Sequence, residues 1–384
     1  MARIAVVGCG GWTQGWHLPH LSRRDDATIA ALVDPLDQPG VGGCTPSLCL
    51  PMAQLCAKYG APRFTSVDAL LAEAATLRLD GVLVAVPHPH HYAVARAVLA
   101  AGLHLLLEKP LTADAAEAIA LARLAAAAGS PALLVNNTAN WRRGSRAALE
   151  AVASGRLGAV RLVNCVFGAP LGWLFEGEAH AAWAKPSGTM RGNGVGWGQL
   201  PHALAWVFKV SGLVPRRVYA AAAHSEASGA DLYDALTISC EGGATVNVSG
   251  VGACPDHGFK VVGNWIFGTE GMLSYCGHAG SDNVKAAEAA GGGGGEAVTP
   301  TARLELWRHD GTHEVGPPVE FEDLEQGGTG PGSLDAFVAA CAGKPYFNGA
   351  GVAEGLKAVL TIDAMYRSIA SGLPEDVLSC DDVL

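Results

Sequence analysis

The stretch "IAVVGCGGWTQGWHLPHL" (residues 4–21) decides the fold, because a short apolar run passes directly into a glycine-rich turn and then into a helix-like segment. Gly8 permits a tight turn after the strand, and Gly10 lets the backbone come close to a ligand. Free backbone N–H groups and the positive end of the helix dipole then face one point. Thr13 replaces the third glycine of the usual pattern with another small residue. The stretch therefore predicts a turn that binds the pyrophosphate of a dinucleotide rather than a purely structural turn.

Asp34 bears on which dinucleotide binds. It follows the second apolar run (residues 28–33), close to the interval expected for the acid that meets the ribose. A carboxylate there accepts hydrogen bonds from ribose hydroxyls and repels a 2′-phosphate. No Lys or Arg lies between Asp34 and Lys58 to neutralise that phosphate. The sequence therefore favours NAD over NADP.

The first 140 residues alternate between strand-like and helix-like patterns. The helix-like stretches are rich in Ala and Leu, and Gly102 and Gly129 stand where two of them should end. Thr112 and Asp114 suit the start of the second of these. The strand-like runs are residues 4–7, 28–33, 82–86, 104–107 and 132–135, and the helix-like stretches are residues 93–102 and 112–129. This alternation predicts an α/β Rossmann domain over residues 1–140, with a doubly wound parallel sheet.

After residue 150 the pattern changes to strand-like runs separated by turns. The runs are residues 161–167, 217–223, 235–240, 244–250 and 260–268. They predict a C-terminal α+β domain over residues 141–384, with a mostly antiparallel open sheet that has one face solvated or available to a partner subunit. Residues 332–345 and 351–372 predict two closing helices, and we expect the C-terminal helix to pack back on the first domain. The Gly-rich residues 286–300 predict a surface loop.

Composition and charge exclude several classes of function. A chain of 384 residues is long enough for two domains, and its formal net charge of −10 argues against a nucleic-acid partner. No apolar run reaches the roughly 20 residues that cross a bilayer, and the first residues enter a strand at once, so we expect a cytoplasmic protein without a membrane partner. The ten cysteines lack the spacing of a zinc site or a disulfide framework, which indicates reduced thiols.

Two opposite charges stand at the end of a buried strand. In "HLLLEKPLT" (residues 104–112) an apolar run leads into Glu108, Lys109 and Pro110. The preceding strand ends in "PHPHH" (residues 87–91), and ligands of doubly wound sheets bind outside the carboxyl ends of the strands. A lysine there can move a proton if burial or nearby positive charge lowers its pKa toward neutrality. The alternative interpretation is a surface ion pair, which stabilises little.

These motifs together resemble the Gfo/Idh/MocA family of sugar and cyclitol dehydrogenases. The matching stretches are "VGCGG" (residues 7–11) with Asp34, "PHPHH" (87–91), "EKPL" (108–111), "SGRLGAV" (154–160), "FGTEGML" (267–273) and the Gly-rich run before His202. They cover nearly the whole chain in the expected order. The resemblance implies a Rossmann domain, an open antiparallel sheet, a nicotinamide cofactor and a polyol-like or sugar-like substrate. It also implies homodimers or homotetramers that bury the C-terminal sheet.

The resemblance also assigns roles to residues. It implies that Lys109 contacts the reacting hydroxyl and helps to move its proton, with His202 as its partner, while Glu108 either holds Lys109 or contacts the nicotinamide ribose. The predicted cofactor-binding residues are Gly8, Gly10, Gly11, Trp12, Thr13, Asp34, Pro87, His88, His91, Glu108 and Lys109. The predicted substrate-binding residues are Asn140, Trp183, Lys185, Gln199 and His202. No metal site is predicted, because the clustered histidines of residues 88–91 point different ways on one turn.

The chain departs from the family pattern near His202. Members commonly have Asp-x-Gly-x-His there, whereas this chain has Gly198 at the Asp position and Leu200 at the Gly position. His202 therefore has an alternative role as a structural histidine inside a helix, and the tryptophans before it suit either a ring substrate or core packing. We expect an NAD-dependent dehydrogenase or reductase acting on CH–OH groups. The alternatives are a non-catalytic nucleotide sensor or scaffold, and an enzyme that recycles NAD while cleaving glycosides or epimerising.

Overall fold

The first part of the chain forms one parallel sheet. In the computed structural model, residues 1–40, 49–127, 129–176, 186–255, 260–279, 303–318 and 332–380 are described. The strands of this sheet are β1 (Ala2–Val7), β2 (Ala27–Val33), β3 (Arg63–Phe64), β4 (Gly81–Val84), β5 (His104–Leu107) and β6 (Leu133–Val135). Their order is β3-β2-β1-β4-β5-β6, and every pair is parallel. The predicted doubly wound Rossmann sheet is confirmed.

Helices cover both faces of this sheet. They are α1 (Leu18–Ser22), α2 (Met52–Tyr59), α3 (Val67–Ala72), α4 (Ala74–Leu77), α5 (His91–Ala100) and α6 (Ala115–Ala126). Along β1, Ile4 and Val6 join one apolar cluster, whereas Ala5 and Val7 join another. Successive side chains of a strand point to opposite faces, so both faces of this sheet are buried. The strand sequences are therefore continuously apolar rather than alternating.

The ends of the first-sheet elements follow local chemistry. Asp114 is the N-cap of α6, and its side chain accepts a hydrogen bond from the Glu117 N–H at 2.9 Å. Gly102 and Gly129 follow the helices with φ values of +75° and +78°. The two-residue strand β3 was not predicted, since two residues are too few to show a period.

The second sheet begins after α7 (Arg143–Ala153). Its strands are β7 (Val160–Gly168), β8 (Pro215–His224), β9 (Asp231–Cys240), β10 (Thr245–Val251), β11 (Lys260–Gly268), β12 (Gly271–Ala279), β13 (Arg303–Arg308), β14 (His313–Pro318) and β15 (Glu375–Asp376). Their order is β14-β13-β12-β11-β7-β10-β9-β8-β15. Within the described ranges only β7 and β10 pair in parallel, so the prediction of a mostly antiparallel sheet is confirmed.

The helices that follow β7 pack on different sheets. They are α8 (Gly172–Glu176), α9 (Val195–Gly198), α10 (Leu200–Ser211), α11 (Gly332–Cys341) and α12 (Val352–Ser371). Helix α11 packs on the first sheet, where Phe337 lies directly over Gly81. Helix α12 contacts α6, α10 and β8, so it touches both parts of the molecule. The predicted loop of residues 286–300 lies outside the described residues.

Candidate active site

The glycine turn joins β1 to the helical segment that follows it. Gly8 has a φ of +86°, and its N–H donates to the Val33 carbonyl at 2.9 Å. A Cβ at this position would collide with the carbonyl oxygen of Ala85, so only glycine fits. A Cβ at Gly10, in contrast, would meet no other atom within 4 Å. The turn is closed by protein at Gly8 and open at Gly10, which fits a bound pyrophosphate.

The residues after the turn fix its shape. The Thr13 hydroxyl donates to the Gly8 carbonyl at 2.6 Å, which closes the turn from inside. Trp12 is 43% exposed, stacks on Trp16 with ring centroids 5.5 Å apart, and donates its Nε1–H to Glu108 at 2.8 Å. Gly11 lies partly exposed beside it. Trp12 is thereby held at the rim of the turn.

Asp34 lies buried at the end of β2, beside the glycine turn. Its Oδ2 accepts a hydrogen bond from the Cys9 N–H at 2.9 Å, and its Oδ1 accepts one from the Leu36 N–H at 3.0 Å. These two contacts fix the carboxylate, and each oxygen keeps a lone pair for a further donor. The placement fits a ribose diol.

Arg63 also lies beside Asp34, and sequence analysis missed it. Strand β3 brings its guanidinium to the Asp34 carbonyl at 3.2 Å and to the Asp37 carboxylate at 2.5 Å. The lack of Lys and Arg between Asp34 and Lys58 describes only neighbours along the chain, whereas this cation comes from the adjacent strand. Because Asp37 pairs with it, its positive charge is already offset.

Glu108 is the centre of a buried hydrogen-bond network. Its Oε1 accepts from Trp12 Nε1 at 2.8 Å, from His17 Nε2 at 2.8 Å and from Asn136 Nδ2 at 2.7 Å. Burial alone would raise the pKa of Glu108, but the hydrogen bond and charge of His17, the charge of Lys109 and the Asn136 amide together lower it to about 2. The carboxylate is therefore an ionised anchor, and it contacts Lys109 through the backbone N–H at 3.2 Å.

Three members of this network were not predicted. His17 follows the glycine turn, Asn136 follows β6, and Ser333 opens α11 and donates to Asn136 Oδ1 at 2.6 Å. The one available signal was the position of Asn136 at the carboxyl end of a strand, next to the ligand edge. Nothing local marks the other two.

Lys109 reaches from the first sheet to the second part of the chain. It follows β5, and its Nζ donates to the Gly198 carbonyl at 2.7 Å. Gly198 ends α9 at the position where the resemblance led us to expect Asp. At this contact the lysine donates to a backbone carbonyl, where the family pattern has a carboxylate.

His202 lies on the first turn of α10, close to this contact. Its Nδ1 is buried and has no hydrogen-bond partner within the described ranges. Burial lowers the pKa of His202 well below its ordinary value, and the charges of Lys109 and Lys260 add to the effect. Gln199, half-buried, links α9 to α10 and accepts the His202 N–H on its carbonyl at 3.0 Å. The imidazole is therefore neutral and available to a donor or a proton.

His91 braces the turn that carries Lys109. It is fully buried, with Nδ1 2.7 Å from the Pro110 carbonyl and Nε2 2.9 Å from the Val86 carbonyl, so it ties the ends of β4 and β5 together. The His88 ring lies 5.6 Å from it, edge-on. Burial lowers the pKa of His88 well below its ordinary value, with the charge of His91 next in effect. Pro87 precedes this short turn.

The predicted substrate residues are only partly placed. Asn140 is buried, and its Nδ2 donates to the carbonyls of Ala205 at 3.0 Å and Gly349 at 3.2 Å. Its Oδ1 has no partner in the described part of the chain. Trp183 and Lys185 lie outside the described residues.

Comparison with family models covers the first sheet and part of the second. Residues 2–136 match the model described as an oxidoreductase family with an NAD-binding Rossmann fold, and residues 145–274 match the GFO/IDH/MocA C-terminal domain. The chain belongs to the Gfo/Idh/MocA oxidoreductase family. Its resemblance to that family in the glycine turn, the EKP motif and the second half is confirmed.

Curated members of the Gfo/Idh/MocA family match the chain over shorter segments. A UDP-N-acetylglucosamine 3-dehydrogenase from Acidithiobacillus ferrooxidans is 34% identical over 123 residues, which is 32% of this chain and 33% of that protein. An inositol 2-dehydrogenase from Leifsonia xyli subsp. xyli is 32% identical over 152 residues, 40% of this chain and 41% of that protein. The chain thus spans about a third to two fifths of the length of these relatives.

Solved structures share the fold over nearly the whole chain. The WlbA dehydrogenase from Bordetella pertussis, in complex with NADH and UDP-GlcNAcA, aligns with a TM-score of 0.68 at 19% identity. The alignment covers 98% of this chain and 99% of that one. This likeness shows that both sheets have the arrangement of the Gfo/Idh/MocA fold.

Two further observations limit the chemistry. Within the described ranges, no three His, Cys, Asp or Glu side chains converge as a metal site, and the nine cysteines there are free thiols. None of the helices described is both long and apolar enough to span a bilayer.

Proposed function

We propose that this Gfo/Idh/MocA protein is an NAD-dependent dehydrogenase or reductase that acts on a hydroxyl or keto group of a sugar, a cyclitol or a related small molecule. The observation that carries the proposal is the hydrogen bond from Lys109 Nζ to Gly198, beside His202 and at the ligand edge of the first sheet. The relatives named as dehydrogenases of inositol and of a UDP-sugar support this substrate class.

Lys109 and His202 are the proposed proton-transfer groups. NAD, when bound, accepts the hydride from the carbinol carbon. The amine of Lys109 takes the hydroxyl proton in oxidation and returns it in reduction. His202, which burial keeps neutral, adds no charge beside the amine and offers it a polar partner. Glu108 keeps the strand end in place through its buried network.

The cofactor proposal is NAD rather than NADP. Gly8, Gly10 and Thr13 form the turn, and Asp34 places a carboxylate beside it. The charge of Arg63 is paired with Asp37. We therefore expect the Asp34 carboxylate to repel a 2′-phosphate without being neutralised by Arg63.

The second sheet is the proposed oligomer surface. Its outer face exposes Tyr219 and Tyr233, and Asn247 bonds to Asn164 across neighbouring strands at 3.0 Å. Exposed aromatic side chains on a broad sheet suit a homodimer or homotetramer. Residues 1–140 then hold the cofactor, residues 141–384 bind the substrate and the partner subunit, and the cytoplasm is the expected location.

The test is a screen of the purified chain with NAD and with probe compounds, namely myo-inositol and UDP-N-acetylglucosamine first. NADH absorbance and the mass spectrum of each product are recorded together. NADH formed with an oxidised product supports the proposal. A changed product without net NADH identifies NAD recycling, and NAD binding without any product across a broad polyol and ketosugar panel identifies a sensor or scaffold.

A further inference from the structure

Two buried carboxyl groups lie near the start of β9, away from the glycine turn. Asp231 and Asp234 are 1% and 3% exposed. Asp231 Oδ1 accepts from the Gly194 N–H at 3.1 Å and from the Tyr366 hydroxyl at 2.8 Å, while its Oδ2 accepts from the Gly196 N–H at 2.7 Å. One carboxylate thus binds two backbone amides of the glycine-rich run and one side chain of α12.

Asp234 is the proton-carrying partner of Asp231. Neither of its carboxyl oxygens has a hydrogen-bond partner within the described ranges, and Asp231 acts on it electrostatically. Burial, and then the charge of Asp231, raises the pKa of Asp234 to about 9. Among the described residues, Asp231 and Tyr366 are the titratable groups that interact electrostatically with Asp234, and α9 has no ionisable side chain. At neutral pH Asp234 is therefore protonated.

The glycines of this run let Asp231 and Tyr366 pack directly on the backbone. A Cβ at Gly194 would collide with the Asp231 backbone, and one at Gly192 or Gly196 would collide with the Tyr366 side chain. Trp197 stacks on Tyr366 with ring centroids 6.0 Å apart. The glycine-rich run, residues 192–198, is therefore held between β9 and α12.

The clamped run ends at the group that holds Lys109. The Gly198 N–H donates to the Gly194 carbonyl at 2.9 Å, so both belong to one helical turn. The Gly198 carbonyl then accepts from Lys109 Nζ at 2.7 Å. Asp231 is thus connected to the lysine through three successive hydrogen bonds, by way of Gly194 and Gly198.

We propose that Asp231 is the positioning residue for Lys109, which it holds by fixing residues 194–198 so that the Gly198 carbonyl receives the ammonium group. The inference rests on the proposed role of Lys109 in proton transfer. Ionisation of Asp234 introduces a negative charge that acts on Asp231 in a buried site, which weakens the hold of Asp231 on the run. Residues 194–198 are therefore held in place at neutral pH and released at alkaline pH.

The test measures how fast acetic anhydride labels Lys109 in the full chain, by mass spectrometry, without any substrate. Asp231→Asn replaces one carboxylate oxygen by an amide N–H group, which cannot accept a hydrogen bond from a glycine N–H. We therefore expect about tenfold faster labelling of Lys109 at pH 7. Asp376→Asn, on exposed β15 of the same sheet, is the matched control and leaves the rate unchanged. Labelling of Lys109 in Asp231→Asn at the wild-type rate overturns the proposal.

The pH profile separates positioning from a merely structural role. In the wild type, labelling of Lys109 rises more steeply above pH 9 than labelling of exposed Lys58, and Asp234→Asn removes this excess because an amide donates without ionising. Identical profiles for the wild type and Asp234→Asn contradict the proposal. If Asp231→Asn does not fold, Tyr366→Phe removes one of the three bonds and gives a smaller increase. Since labelling needs no turnover, a failed substrate screen counts against the proposed function alone.

Discussion

Lys109 Nζ donates to the carbonyl of Gly198 at 2.7 Å, and this bond joins the end of β5 to the glycine-rich run of the second part of the chain. A carbonyl carries no net charge, so it holds the proton on the amine less tightly than a carboxylate in the same place. The departure from the family pattern at Gly198 therefore gives the Lys109 amine an uncharged acceptor at this contact.

Replacing Lys109 by Met removes the proposed proton carrier and keeps the length of the side chain. We expect the turnover number to fall on the order of a hundredfold or more, because proton transfer contributes that much to such reactions. NADH affinity, measured by fluorescence titration, should stay at the wild-type value. Lys58→Met on exposed α2 is the control and should change neither quantity. Full turnover by Lys109→Met would falsify the assignment.

The two glycines of the turn should respond differently to alanine. Gly10→Ala meets open space, so the melting temperature should stay unchanged while NADH binding weakens. Gly8→Ala collides with Ala85 at a positive φ, so the free energy of unfolding should drop by at least about 1 kcal/mol. Calorimetry and NADH titration of both variants check this. If Gly10→Ala binds NADH normally, the turn does not hold the pyrophosphate.

The Asp34→Asn variant removes a charge and keeps the shape of the side chain. The preference for NADH over NADPH should fall by about tenfold, because a hydrogen bond to a charged group is lost and the repulsion of the 2′-phosphate disappears. Parallel titrations with the two cofactors measure the ratio. Asp68→Asn in the first turn of α3 is the control. An unchanged ratio means that Asp34 does not select the cofactor.

Glu108→Gln tests the buried network through its pH dependence. The pKa of Glu108 is depressed from 4.5 to about 2, so its contribution to stability is present above pH 4.5 and is lost as the pH falls through 2. At pH 7 the variant should lose on the order of 3 kcal/mol of unfolding free energy, and this difference should shrink toward pH 2. Denaturant unfolding at several pH values measures it. Glu150→Gln, in an exposed ion pair, should show no such trend.

Much of the first sheet could be predicted because its signals are local. The apolar run of residues 104–107 coincides with β5, and its end places Lys109 at the edge where ligands bind. Gly8 was predictable in the same way, since a strand followed by a glycine turn needs no distant contact. The parallel direction of the strands then followed from their alternation with helices.

The remainder of the site depends on contacts between distant parts of the chain. His17 lies 91 residues from Glu108, and Tyr366 lies 135 residues from Asp231. The period of a strand or helix describes which face is buried, but it does not identify the partner on that face. Arg63 was not predicted as a neighbour of Asp34 for a related reason, because it belongs to a strand of only two residues.

The packing of Tyr366 on Gly192 and Gly196 has a practical consequence for enzyme engineering. Those positions admit no side chain, so a library that randomises them yields misfolded variants rather than new selectivity. A library that aims at a broader range of substrates should instead randomise Gln199 and Lys260, which are half-buried and lie outside the glycine-rich run.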